Sequence, residues 1–553
     1  MKKEKLRIGL LVDDLTIPCW AYLMLDRIIK SDYAEISLVV RKVQSTQQKA
    51  PFLKRFFKEW KGILFKLYMR FDLQRYALHP DAFKNRNFKD LVPGPEMVVS
   101  TLESNGEEQL NSDDIEKIKS HHIDVLLKLG FGTLAGDVLN SAKHGVWSYY
   151  YGDYDVNRGG LPGVWEFLEY WDETGVTLQI LTNDKEGDLQ LAKSYSCTDK
   201  YGIHRNRNNY YWKALSLIPR KLEEMHRLGA DVFFEKVNAV NATPFFYYNR
   251  LYAGPRNWEL LKILWGNFWT RVKLKVSGLF NFQQWILLFA INSEHKISKS
   301  FVKFTRILPP KDRFWADPFV WFKDGKYYIF LEELIYKNNR GTISVIEMDE
   351  DGKYGPAQSV LEKDYHLSYP FLLEDEGELY MLPETKQNGT IELYKCIDFP
   401  LKWELQEIVM DNIKAVDATI FKHDGKYWMF VNIQENPGAS TWDELFLFHS
   451  DSLLNGNWVS HPTNPIVSDV KYARPAGNIF EHNGKIFRPA QNCSKHYGYG
   501  MQLREIVTLN ESEYKERQVQ SIFPNWEKDL VSTHTLNHKG KLTVIDAVIK
   551  RRK

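Results

Sequence analysis

The chain is poor in cysteine. Its four cysteines, Cys19, Cys197, Cys396 and Cys493, are scattered through 553 residues, with no CxxC pair and no Cys/His cluster at zinc spacing. This excludes a zinc finger or disulfide-stapled scaffold and predicts reduced thiols in a cytosolic protein. Long apolar runs are also missing. The longest candidate, Trp285 to Ile291, falls far short of the roughly 20 residues a membrane helix needs. The opening MKKEKLRIGLLVDD is basic, but Asp13 and Asp14 stop its apolar run, so it reads as a first β-strand rather than a signal peptide. These absences predict a cytoplasmic location, with a peripheral position on the inner face of the cell membrane as the extension of it. Excess charge of one sign is absent too: 73 Lys and Arg against 71 Asp and Glu leave +2, and no nucleic-acid partner is expected. Aromatic residues are abundant at 14%, with 17 Trp and 29 Tyr, as suits β-rich cores and sugar-stacking surfaces. The length predicts several domains.

One short pattern recurs in the C-terminal half. A turn containing Gly is followed by an aromatic and aliphatic strand: DGKYYIF, EGELYML, DGKYWMF, NGKIFRP and KGKLTVI, with glycines at 325, 377, 425, 484 and 540. Asp-Gly and Asn-Gly suit tight hairpin turns, and a repeat of about 50 residues accommodates the four strands of a propeller blade. Five copies predict a five-bladed β-propeller over 280–553, with Gln284 to Asn292 supplying a closing strand to the last blade. The residue eight before each turn glycine then lies near one channel mouth: Asp317, Tyr369, Asp417, Ala476 and Ser532, with Arg474 and His534 beside the last two. The second strands end on Glu332, Glu384, Asn432, Gln491 and Asp546. Strand ends are commonly polar, so solvated loop ends remain the plain alternative. Convergence of acids, Arg and His on one axis would instead position a sugar and move protons. Trp315, Tyr369 and Glu332 join Arg474 and His534 as candidate substrate-binding residues.

RFWADPFVWFKDGKYYIF resembles the first blade of the five-bladed arabinanase/xylosidase-type glycosidases, and VDATIFKHDGKYWMF resembles a later blade. The resemblance implies Asp317 as general base and Asp417 as the residue tuning the acid. YARPAGNIF stands where the family's catalytic Glu is sought, and Glu384 is the substitute carboxyl. FWADPF, SYPF with YMLPET, RPAG and THTLNHKGKLTVIDA, over about 310 to 547, more closely resemble the N-terminal propeller of glucosamine inositolphosphorylceramide transferases. Those proteins build glycolipids with a separate transferase domain, so this resemblance implies glycan assembly rather than breakdown.

The N-terminal half alternates strand and helix patterns: LRIGLLV, a helix around Trp20 to Ile29, ISLVVRK and IDVLLKLGFG. Such alternation predicts a parallel α/β sheet over 1–200. The glycines of GFGTLAG have the wrong spacing for a dinucleotide fingerprint. IDVLLKLGFGTLAGDVLN, HGVW with NRGGLPGVWEF, and ETGVTLQIL resemble the formyltransferase fold of methionyl-tRNA and glycinamide ribonucleotide formyltransferases. Alignment through Gly145 and Arg158-Gly159 puts Ser148 at the family's Asn and Tyr150 at its His. The family's Asp falls on Lys185 or is displaced to Asp184. Formyl transfer needs a base for the attacking amine, and a tyrosine, with an ordinary pKa of about 10, is a poor one.

Pro51 to Phe71 places Phe52, Phe56, Trp60, Ile63, Leu67 and Phe71 on one helical face with a strong excess of Lys and Arg. A helical insertion over 51–80 that lies in an anionic membrane surface fits this pattern, as does an ordinary packed helix. Asn257 to Val276 is similar, with Trp258, Leu261, Trp265, Trp269 and Val272 on one side. A single helix over 205–229 is expected within a helical connector over 201–279. Its inner face is Tyr211, Ala214, Leu215, Ile218, Leu222 and Met225.

Together these readings predict a glycosyltransferase-like enzyme of surface-glycan or glycolipid biosynthesis, with a sugar site in the propeller channel. Asp317, Asp417 and Glu384 would do the chemistry on a carbohydrate or lipid-linked sugar, and a nucleotide sugar is the candidate donor. The alternatives are a sugar N-formyltransferase using 10-formyltetrahydrofolate, a non-catalytic glycan-binding scaffold, and a glycoside hydrolase. No metal site is expected.

Overall fold

The computed structural model of the protein describes residues 3–43, 62–92, 94–104, 106–184 and 187–553. The chain divides into two units, residues 1–266 with 436–439, and residues 267–435 with 440–553.

The first unit is built on a seven-stranded sheet. Its order is Leu189–Cys197, Glu173–Ile180, Val146–Tyr150, Val125–Lys128, Leu6–Val12, Ala34–Lys42 and Glu96–Val99. The last five run parallel, while Glu173–Ile180 and Leu189–Cys197 run antiparallel at one side. Leu6–Val12 reads as an apolar run because it is covered on both faces, as central parallel strands are: Ile8, Leu10, Leu11 and Val12 are all buried. The helix Cys19–Ile29 turns Trp20, Met24, Leu25 and Ile28 inward. The glycines after Val125–Lys128 serve close packing. A Cβ on Gly130 would lie 2.3 Å from the Asp13 nitrogen, and the Phe131 N–H donates to the Asp13 carboxylate at 2.7 Å.

The single helix expected over 205–229 is two, Ile203–Ala214 and Leu217–Leu228. Pro219 lacks an N–H, and its ring crowds the carbonyl four residues back, that of Leu215, which is where the first helix ends. The inward face is nonetheless the expected one, with all six residues buried. These helices and Ala230–Asn241 share the core of the first unit. Residues 51–61 of the basic aromatic stretch, and Lys185, lie outside the described residues. The remainder forms the helix Ile63–Arg75, which buries Phe65 against Trp165 and Phe167. Ile63, Leu67 and Phe71, the expected apolar face, are 40%, 54% and 56% exposed.

The second unit contains five sheets, four of them four-stranded antiparallel meanders starting at Arg313–Lys323, Ser368–Asp375, Ala415–His423 and Phe480–His482. The fifth joins both ends of the unit: Asn281–Ile291 pairs along its whole length with Leu542–Arg552. This closing strand sits where the Gln284–Asn292 pattern placed it and leaves the ring without an open edge there. The turns at Asp324-Gly325, Glu376-Gly377, Asp424-Gly425 and Asn483-Gly484 have positive φ at both central residues, the geometry that favours Gly second.

Candidate functional site

The first strands of three blades carry the same irregularity. Opposite one residue of the second strand stand two residues of the first: Asp317-Pro318, Tyr369-Pro370 and Asp417-Ala418. Each is a β-bulge, which re-aims a side chain. Asp317, Tyr369 and Asp417 have φ of 50°, 45° and 54°, a left-handed conformation that costs a non-glycine residue on the order of 1–3 kcal/mol and clusters at functional sites.

Asp417, 1% exposed at its side chain, accepts from Arg474 Nε at 2.5 Å and Nη2 at 3.1 Å, and from Gln491 Nε2 at 2.9 Å. The Arg474 Nη2 also reaches Glu384 at 3.4 Å, and its guanidinium lies 4.9 Å from the Tyr497 ring. Glu384 is the more open carboxyl, 12% exposed. Burial and the nearby Asp417 charge push its pKa up to about 8 despite Arg474.

On the other side, the Asp546 carboxylate accepts from the backbone N–H groups of Asp317 (3.0 Å), His534 (2.9 Å) and Thr535 (3.0 Å), and from His534 Nδ1 at 2.7 Å. Thr535 donates its hydroxyl to Asp317 Oδ1 at 2.8 Å. Burial raises the Asp317 pKa to about 7 against the His534 charge. Burial works against a charged His534, but Asp546 and Asp317 outweigh it and carry its pKa up to about 9. Its ring stacks on Trp285 at 4.2 Å, a cation–π contact, with Tyr497 edge-on at 5.3 Å. The ligand atoms of Asp317, His534 and Asp546 lie within 4.8 Å of one another, a spacing a metal ion could use. As the three stand, they form an ion-paired triad, with His534 Nδ1 2.7 Å from Asp546 and Nε2 3.6 Å from Asp317.

At the third edge His366 Nε2 lies 3.2 Å from Glu332, and its Nδ1 accepts the Gly341 N–H at 2.9 Å. This assigns the imidazole proton to Nε2, facing the carboxylate. A Cβ on Gly341 would sit 2.4 Å from the Leu367 carbonyl and 2.9 Å from Glu332.

The structure thus gathers Asp317, Asp417, Glu384, Arg474, His534 and Glu332 at the inner ends of the blade strands. It places two other candidates elsewhere. Tyr369 is fully buried, and its hydroxyl is held between Thr419 (2.8 Å) and the Gly477 N–H (2.9 Å), so it fastens neighbouring blades. Trp315 packs against Leu287, Ile307 and Val320 and donates to Glu333 at 3.0 Å. Arg474 and His534 already have carboxylate partners, which leaves little of either to receive a phosphate. Trp285, Tyr497 and the Asp546 anchor were not among the predicted site residues. Trp285 and Tyr497 lie in a closing strand and a loop that the repeat does not mark, whereas Asp546 was visible as a strand end.

In the first unit Ser148 is buried on Val146–Tyr150. The Tyr150 hydroxyl donates to the Asn157 carbonyl at 2.5 Å and accepts the Gly159 N–H at 3.2 Å, and burial drives its pKa well up. Arg158 lies over the Tyr154 and Tyr247 rings, and Asp184 lies in an exposed turn. A buried carboxyl is present nearby at Glu166, which accepts from Asn157 at 3.1 Å and which burial pushes up to about 7.

The second unit is therefore a ring of antiparallel blades whose inner strand ends gather buried ion pairs, with Trp285 and Tyr497 beside them. Residues 307–542 match the family described as glucosamine inositolphosphorylceramide transferase 1, N-terminal. The chain is 32% identical over 209 residues to glucosamine inositolphosphorylceramide transferase 1 of Arabidopsis thaliana, covering 37% of this chain and 27% of that protein. It is 34% identical over 206 residues to the protein of the same name from Oryza sativa subsp. japonica, again covering 37% and 27%. The chain thus spans just over a quarter of the length of these relatives. Among solved structures it is similar to the catalytic domain of a Coprinopsis cinerea GH62 alpha-L-arabinofuranosidase, with 11% identity, 47% of this chain and 97% of that chain covered and a TM-score of 0.32. It is also similar to a Cellvibrio cellulosa alpha-L-arabinanase complexed with arabinohexaose, with 13% identity, 37% and 77% covered and a TM-score of 0.28.

Proposed function

We propose that the channel of the second unit is the sugar site of a glycosyltransferase-like protein of glycolipid or surface-glycan assembly. The relatives named above carry a glycolipid transferase name, which supports assembly over breakdown. The observation that carries the reading is the Arg474–Asp417 pair. Glycoside hydrolysis needs two carboxyls free to reach the scissile bond, one charged and one protonated. Here both oxygens of Asp417 are committed to Arg474 and one also to Gln491, while Glu384, pushed up to about 8, favours the protonated form near neutral pH. Protonated carboxyls donate hydrogen bonds to sugar hydroxyls, and Trp285 and Tyr497 offer faces for a sugar ring. In this reading Asp317 anchors the sugar and Glu384 faces the ligand, with Asp417 and Arg474 as their rigid support.

A nucleotide sugar is the proposed donor and a lipid-linked sugar the proposed acceptor. Exposed apolar residues on Ile63–Arg75 and on the helix Asn257–Phe280, among them Leu67, Phe71, Trp258 and Leu261, support contact with a membrane surface. Among the described residues no helix is long and apolar enough to cross a membrane. A non-catalytic glycan-binding scaffold is the second reading, favoured by the commitment of Asp417. Formyl transfer from 10-formyltetrahydrofolate is disfavoured, since the Tyr150 hydroxyl is held on both sides. Incubating the full chain with nucleotide sugars and glycolipid acceptors, with product read by mass spectrometry, tests the transferase reading. Product lost in Asp317→Ala is expected, and sugar binding without product in the unaltered protein would leave the scaffold.

A further inference from the structure

Two lysines stand at the edge of this site outside its salt bridges. Lys386 opens the turn Lys386–Asn388, directly after the strand Glu378–Thr385 that carries Glu384. Lys414 directly precedes the strand Ala415–His423 that carries Asp417. The Ile413 N–H donates to the Gly389 carbonyl at 2.8 Å, fastening the two turns side by side. Among the described residues neither lysine has an ion-pair partner. Lys386 is half-buried, and burial lowers its pKa, with Arg474 and Lys414 adding repulsion against the pull of Glu384 and Asp417. Three basic side chains, Arg474, Lys386 and Lys414, thus stand around Glu384 and Asp417.

Arg474 has little to give an external anion, because its Nε and Nη2 are bound to Asp417. An ammonium is a compact, rotatable donor suited to phosphoryl oxygens, and an anion here would relieve the crowding of positive charge. We propose that Lys386 and Lys414 form a phosphoryl-binding subsite at the rim of the channel, so that the ligand of this site is a phosphorylated sugar rather than a neutral one. The inference rests on the sugar reading above and adds the chemical class of the ligand. A sugar 1-phosphate, the diphosphate of a nucleotide sugar and the phosphodiester headgroup of a glycolipid share this chemistry.

The test is calorimetric titration of the full chain with glucose, mannose and N-acetylglucosamine, with their 1-phosphates, and with inorganic phosphate. Lys386→Gln/Lys414→Gln is compared with the unaltered protein, and Lys414→Gln alone, at an exposed position, serves as the variant that keeps its fold. At least one 1-phosphate is expected to bind tenfold or more tightly than its parent sugar. The double variant should lose that margin while binding the parent sugar unchanged, and the margin should shrink with added salt. Equal affinity for sugar and sugar phosphate, or a margin that survives in the double variant, overturns the subsite and leaves the sugar reading standing. Lysine-dependent binding of inorganic phosphate without binding of any sugar supports the subsite and removes the sugar reading. Uridine diphosphate glucose and phosphatidylinositol vesicles then separate the sources, since the one whose binding falls in the double variant supplies the phosphoryl group.

Discussion

Replacing Arg474 by methionine should destabilise the second unit by about 3–5 kcal/mol at pH 7.5, the usual cost of stranding one partner of a buried ion pair. The structure supplies the reason. Asp417 is 1% exposed, so water cannot replace the two guanidinium hydrogen bonds, and the Gln491 amide at 2.9 Å and the Glu384 carboxyl are what it keeps. The stranded carboxylate relieves the penalty by taking up a proton, so the cost should shrink with acidity by up to about 1.4 kcal/mol per pH unit. Urea unfolding of both proteins at pH 5.5, 6.5 and 7.5 measures this. Arg474→Met/Asp417→Leu should recover most of the loss, because a well-packed apolar pair can replace a buried ionic one. A loss under about 1 kcal/mol, or one that is the same at all three pH values, would refute the claim that this pair is charged and load-carrying in the channel.

Stability should also fall as the unaltered protein is made alkaline. His534 titrates at about 9 instead of 6.5, so its contribution is full below pH 6.5 and is lost through pH 9, on the order of 3 kcal/mol. Asp317, raised to about 7, acts in the same direction from the ordinary carboxylate range upward. Thermal unfolding from pH 6 to 9.5 should show a decline that His534→Asn flattens. Gly341→Ala should cost about 2 kcal/mol or more through its clash with the Leu367 carbonyl and Glu332, read by the same unfolding assay. Tyr150→Phe should cost about 1–2 kcal/mol for its two backbone hydrogen bonds and leave any sugar transfer unchanged, whereas transfer lost with full stability would return Tyr150 to the chemistry.

Much of the channel was legible because the hairpin turn fixes a ruler. Counting eight residues back from Gly325, Gly377 and Gly425 reaches the bulged residues Asp317, Tyr369 and Asp417, and counting forward reaches Glu332, Glu384 and Asn432. The ruler locates the backbone kink but not the direction of the side chain. Tyr369 is too large and too apolar for the channel rim and turns between blades, while Trp315, two residues ahead of the Asp317 bulge, faces a neighbouring blade's core. Trp285 and Tyr497 were hidden because their partners, His534 and Arg474, are 249 and 23 residues away in sequence. In the first unit the inward face of 205–229 was readable from its spacing. The helix break was also written in the sequence, in Pro219, but an unbroken apolar face masked it.

The central claim is that the blade strands converge on a sugar site walled by Trp285. Its most direct measurement is the quenching or shift of intrinsic tryptophan fluorescence as the full chain is titrated with the sugars and sugar 1-phosphates above, compared between the unaltered protein and Trp285→Leu. The account predicts a saturable change for at least one ligand and at least a tenfold loss of affinity in Trp285→Leu, measured at a temperature where circular dichroism shows both proteins folded. A saturable change of equal affinity in both proteins would place the ligand elsewhere and contradict the channel as the sugar site.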